Sequence, residues 1–193
     1  FPPTATPVAP PTATPTATST PDVSRTAILA LSPATTTVGI NQRFTVAVQV
    51  RTQQPVDGAS AYIDFDPAVL QVASVTSGGS LPTVLLSTVD NVRGRIDFVA
   101  GTLSAPFPSA DFVLATVEFT AGQAISTTPL TFAAANPRLS DVTYAGASIL
   151  DRREGGTVIV SGAALVGHVL PPGWQLRPAP EWRIPLTLTA QSL

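Results

Sequence analysis

Between residues 27 and 162 the chain repeatedly alternates apolar and polar side chains with a period of two, the signature of half-buried strands. RFTVAVQV (43–50) sends Phe44, Val46, Val48 and Val50 to one side and Thr45, Ala47 and Gln49 to the other. ASAYIDF (59–65) groups Ala61, Ile63 and Phe65, and GRIDFVAGTL (94–103) groups Ile96 and Phe98. DFVLATVEFTA (111–121) groups Val113, Ala115, Val117 and Phe119. AILAL (27–31), VLQVASV (69–75), PLTFAAA (129–135) and GTVIVSG (156–162) are further predicted strands. The separators VGINQ, QPVDG, TSGGS, DNVRG, ANPRLSD and EGG are made of turn-forming residues. No window of eleven residues or more carries a 3.6-residue stripe. The best helical candidate is a single turn at DPAVL (66–70), with Asp66 as cap and Pro67 at the first position. The pattern predicts an all-β fold, an antiparallel β-sandwich over residues 23–162.

The flanks have a different texture. Residues 1–22 repeat PTAT at 3–6, 11–14 and 15–18. Proline fixes φ and removes donors, so this stretch favours an extended polyproline II path. Ser/Thr/Pro tracts of this kind are either plain linkers or O-glycosylated stalks of exported proteins. Thr4, Thr6, Thr12, Thr14, Thr16, Thr18 and Thr20 are the candidate acceptors of glycans. Residues 163–193 read as ALVGHVL (164–170), a Pro-rich connection, and IPLTLTA (184–190). Two strands cannot bury a core alone. They either begin a further β-module or are donated to another sheet, with Leu165, Val169, Ile184, Leu186 and Leu188 as the candidate donated side chains.

Composition narrows the class. The chain is 44% hydrophobic, yet no run approaches 18 uninterrupted apolar residues, so no transmembrane helix is predicted. Charged residues are 11% and the net charge is −2, which is no footprint for nucleic acid or an acidic membrane surface. With no Cys there is neither a disulfide framework nor a thiolate metal site. All ten basic residues are Arg. With no Met, the sequence reads as a processed form or an excerpt of a longer protein, and Phe1-Pro2-Pro3 does not read as a signal peptide.

Candidate chemistry is sparse. His168 is the only histidine and lies in the 164–170 strand, where it reads as a polar residue on a half-exposed face. No G-x-S-x-G, P-loop, H-E-x-x-H or EF-hand pattern is present. Asp64 and Asp66 share a strand face, the spacing that could begin a Ca²⁺ site or a glycosidase pair. Asp66-Pro67 is a turn signal, however, and Asp64 alternates with Ile63 and Phe65, so a structural role is expected for both. Asp151-Arg152-Arg153-Glu154 before Gly155-Gly156 reads as a solvated hairpin tip with local ion pairs. An aromatic sugar platform would have to draw on Trp174, Trp182, Tyr62 and Tyr144, which are isolated or confined to the Pro-rich tail. The chain reads as non-enzymatic, with no cofactor and no metal.

ALSPATTTVGINQRFTVAVQV, GASAYIDFDPAVLQVASVTSGG and DFVLATVEFTA together resemble cohesin modules, over about two-thirds of the chain. The resemblance implies a jelly-roll sandwich of about nine strands and a non-catalytic role outside the cell or at its surface. Two readings follow. In the first, the chain is a structural subunit that assembles head-to-tail with copies of itself into a filament, through its terminal extensions. In the second, it is a cohesin-type binding module that recognises dockerin or carbohydrate within a modular surface protein.

Overall fold

The structure is a computed structural model, and it describes residues 24–162. Those residues are strands and turns, without helix. The first strands are β1 (Ala27–Ser32), β2 (Thr35–Gly39), β3 (Arg43–Arg51), β4 (Gly58–Asp64) and β5 (Leu70–Ser77). They are followed by β6 (Thr83–Asp90), β7 (Arg95–Gly101), β8 (Phe112–Ala121) and β9 (Ser126–Phe132). Short pieces come next: β10 (Ala134–Ala135), β11 (Arg138–Leu139), β12 (Asp141–Tyr144) and β13 (Ala147–Ser148). β14 (Leu150–Glu154) and β15 (Gly156–Ser161) close the domain.

One sheet runs in the order β14-β1-β3-β8-β5. The other runs β13-β12-β4-β9-β15-β2, with β7 on the free side of β4 and β6 beyond β7. The expected jelly-roll sandwich is therefore present, and most pairs are antiparallel. Two are not: β1 lies parallel to β14, and β2 lies parallel to β15. Both strand pairs cross from one sheet to the other at the same level, where the Thr157 amide donates to the Ala34 carbonyl at 2.8 Å. A Cβ on Gly155 would stand 2.5 Å from the Leu130 carbonyl oxygen, so only glycine passes this crossing unhindered.

The core is what the alternation predicts. Val46, Val48, Val50, Ala61, Ile63, Phe65, Ile96, Phe98, Val117 and Phe119 are all buried. Phe119 stacks on Phe44 with centroids 5.4 Å apart and meets Phe65 edge-on at 5.7 Å. One expectation shifts. Between Val48 and Gln49 the β3–β8 register slips by one residue, so Leu114 enters the core and Val113 turns outward opposite Gln49. A second bulge interrupts β5 between Val72 and Ser74.

Two further departures have physical causes. The 151–154 segment is no hairpin tip: it is β14, which among the described residues is an edge strand with exposed charges. β6 has no apolar–polar alternation because it too is an edge strand and neither of its faces is deeply buried. At 66–70 the expected single turn is present: the Asp66 carbonyl accepts from the Val69 and Leu70 amides at 3.1 and 2.9 Å. Asp66 caps it, its Oδ1 accepting from the Ala68 amide at 2.9 Å.

The predicted extended segment 1–22, its threonines Thr4, Thr6, Thr12, Thr14, Thr16, Thr18 and Thr20, and the extension 163–193 lie outside the described residues. So do His168, Trp174, Trp182 and the candidate donated side chains Leu165, Val169, Ile184, Leu186 and Leu188.

Candidate docking face

A sandwich has two outer faces, and they differ here in kind. The outer side of the β14-β1-β3-β8-β5 sheet is polar, and its charges satisfy one another. Arg43 pairs with Glu118 at 3.4 Å, and Glu118 also accepts from Ser74 Oγ at 3.3 Å. Arg51 pairs with Glu154 at 3.1 Å, while Arg152 reaches both Asp151 and Glu154 at 2.9 Å.

The outer side of the β6-β7-β4 sheet combines a fixed polar cluster with exposed apolar side chains. Because Ala59, Ala61 and Ile63 point inward, β4 presents Ser60, Tyr62 and Asp64 outward. By the same alternation β7 presents Arg95, Asp97 and Val99. Arg138, on β11, is laid across this surface. Its Nε donates to Asp97 Oδ1 at 2.9 Å and its Nη1 donates to Asp64 Oδ1. Nη2 donates to the Ile63 and Ile96 carbonyls at 3.3 and 3.4 Å. The guanidinium also lies 5.7 Å from the centre of the Tyr62 ring, within cation–π range. Burial alone disfavours this charge. The hydrogen bonds the guanidinium donates to Asp97 and Asp64 outweigh this and raise the Arg138 pKa above its ordinary value. The cation is thus permanent, and it holds two carboxylates in set positions.

Toward the other end of the same face lies a groove of about 460 Å³. Thr83 and Leu85 of β6, Val99 of β7 and Leu103 beyond it form its apolar side, with Asp57, Asp141 and Thr143 opposite. Asp57 is held in place by Thr143 Oγ1 at 3.0 Å and by the Ala145 amide at 2.6 Å. Asp141 Oδ1 accepts from Ser148 Oγ at 2.7 Å. Of the exposed large apolar side chains, Val84 and Val89 of β6 stand on the core side of the sheet, opposite Ala100 and Ile96, whereas Leu85 and Leu103 join half-buried Val99 in an apolar patch along this groove. Such a patch rimmed by polar groups is the usual mark of a recognition surface.

The Asp64–Asp66 spacing does not make a carboxylate pair: Asp64 is committed to Arg138 and Asp66 to its own turn. Among the described residues no group of three or more His, Cys, Asp or Glu could hold a metal ion. No helix among them is long and apolar enough to cross a membrane. Sequence reasoning placed Tyr62 on an outward side but gave no role to Arg138, Asp97, Asp57 or Leu85. Arg138 sits in ANPRLSD, a stretch that reads only as a turn, and nothing local announces that it reaches carboxylates 41 and 74 residues earlier.

A search of curated proteins found no match to the chain. Among solved structures, the cohesin CaCohA2 from Clostridium acetobutylicum is similar with a TM-score of 0.62 and 21% identity, over 73% of this chain and 94% of that one. A chain of the type I cohesin–dockerin complex Coh-OlpA–Doc918 from Clostridium thermocellum gives 0.59 and 11%, over 70% and 99%. A non-cellulosomal cohesin from the archaeon Archaeoglobus fulgidus gives 0.54 and 17%, over 71% and 91%. At these identities the likeness is one of fold. The family model of the cohesin domain matches residues 29–144, more than half of the sequence, and with the sandwich described above this places the chain in the cohesin family.

Proposed function

We propose that the domain is a non-catalytic binding module, acting outside the cell or at its surface, that docks a dockerin-type protein on the outer face of the β6-β7-β4 sheet. The observation that carries this reading is the asymmetry of the two faces within a cohesin fold. One face has its charges paired off, whereas the other joins exposed Leu85 and Leu103 and half-buried Val99 to carboxylates already held in place. The known complex of a similar fold, Coh-OlpA–Doc918, pairs a cohesin with a dockerin, which favours a protein partner over a saccharide.

The groove defines the partner's chemistry. A side chain with an apolar stem and a cationic head suits it, because the stem covers Leu85 and Val99 while the head meets Asp57 and Asp141. Recognition of this type concentrates its energy in a few central contacts. The filament reading depends on the extensions and is not needed to account for this face.

The test is calorimetric titration of the whole chain with a panel of dockerin modules. Saturable binding is expected with at least one of them. Val99→Glu should weaken it by about tenfold or more without lowering the melting temperature, since Val99 projects outward. Binding left unchanged by Val99→Glu and by Leu103→Glu would remove this face from consideration.

A further inference from the structure

The edges of the two sheets are not equally protected. At β5, the side-chain amide of Asn91 occupies both main-chain groups of Val72, at 2.8 and 3.0 Å, and a bulge breaks the strand just beyond. The edge at β14 carries exposed Asp151 and Arg152 and half-buried Glu154. Charges, bulges and covering groups are the usual devices against unwanted strand pairing. β6 has only a register shift near its start, between Val84 and Leu86. From Thr83 to Val89 it bears no charge and no proline, and among the described residues its main chain pairs on one side alone, with β7.

The core layer is also unfinished at this strand. Val84 and Val89 stand opposite buried Ala100 and Ile96, so they point to the core side of the sheet. They nevertheless remain 44% and 40% exposed, because among the described residues no strand lies beyond β6 to cover them. An added strand would satisfy the open main-chain groups, and apolar residues at its alternate positions would cover these valines.

We propose that the β6 edge accepts residues 184–190 of a second copy of the chain. IPLTLTA is uncharged and alternates Ile184, Leu186, Leu188 and Ala190 with Pro185, Thr187 and Thr189. It has seven residues, the length of the uncharged stretch 83–89. The 21 residues from 163 to 183 span up to about 70 Å at full extension, enough to reach a neighbouring molecule. Pairing of one copy's segment with the next copy's edge is heterologous, so it propagates into chains or closed rings. This inference is independent of the docking face: Val99→Glu should leave it intact, and its failure would leave dockerin binding untouched.

Sedimentation velocity of the whole chain across a concentration series tests it. Concentration-dependent association is expected. It should be lost in Ser87→Lys, which places a charge on an already exposed position at the middle of β6, and equally in Leu186→Lys. The chain has no cysteine, so mixing Thr88→Cys chains with Thr187→Cys chains, both on the outer side of the sheet in the proposed pairing, under oxidising conditions should give a covalent heterodimer that neither variant gives alone. A monomer at every concentration, or association that survives both lysine variants, overturns the proposal.

Discussion

Asn91 and Val72 pair as though the side chain were a piece of strand. Asn91 Oδ1 accepts from the Val72 amide at 2.8 Å, and Asn91 Nδ2 donates to the Val72 carbonyl at 3.0 Å. The contact ties the β6–β7 turn to the edge of the opposite sheet. Asn91→Ala would leave both Val72 groups without their partner, at a cost of about 1–3 kcal/mol. Chemical denaturation should show that loss. Hydrogen exchange should show faster exchange at Val72 than at its neighbours.

Gly94 closes the same turn with φ +68°, and a Cβ there would stand 2.0 Å from the Phe65 carbonyl oxygen. The Gly94 carbonyl in turn accepts from the Phe65 amide at 2.9 Å. Gly94→Ala is therefore strained in two ways, by backbone conformation and by contact with main chain that cannot rotate away. We expect a loss of at least about 2 kcal/mol in urea denaturation. A similar substitution at Gly79, where φ is +83° but the space is open, should cost less.

Arg138 neutralises Asp64 and Asp97, which project from the same face of adjacent strands. Arg138→Met would leave Asp97 uncompensated and Asp64 with only Arg95, at 3.9 Å. Since both are partly solvated, a loss of about 1–2 kcal/mol is expected rather than the larger value of a fully buried pair. Arg138→Lys should recover little, because an ammonium cannot span both carboxylates and the two carbonyls as the planar fork does. Thermal unfolding at two salt concentrations would separate the charge contribution from lost packing.

The acid limb of stability should carry a contribution from Asp90. The main-chain amide of Arg93 donates to Asp90 Oδ1 at 2.9 Å, and this bond chiefly holds the carboxyl below its ordinary value of 3.8. A carboxylate depressed in the folded state stabilises above its unfolded value, and that contribution fades as pH falls through the folded one. Asp90→Asn should therefore lower stability at neutral pH and flatten the profile below about pH 4, where the variant and the parent should converge. Melting temperatures measured across the acid range would check it.

Most of the core was legible in the sequence because burial on one side of a strand imposes alternation. That is why residues 43–50 and 59–65 appear as they read. Where a strand is not buried on one side only, the code fails. β6 is exposed along most of its length, β14 is charged at an edge, and the Leu114 bulge inserts a residue that no local rule marks. The docking face was illegible for a different reason. Its cluster is assembled by Tyr62, Asp97 and Arg138 from strands distant in sequence, each of which looks ordinary alone.

The parallel pairing of the first and last strands has a mechanical consequence. Ala27 is level with Leu150 in the first parallel pair, and Gly39 is level with Ser161 in the second, so the N-terminal entry and the C-terminal exit lie at opposite ends of two successive parallel ladders. Tension applied through both flanks would pull β1 and β2 lengthwise against β14 and β15. Their hydrogen bonds would then be loaded together in shear, not peeled one at a time, and the domain should resist stretching between its ends far better than its modest number of side-chain ion pairs would suggest.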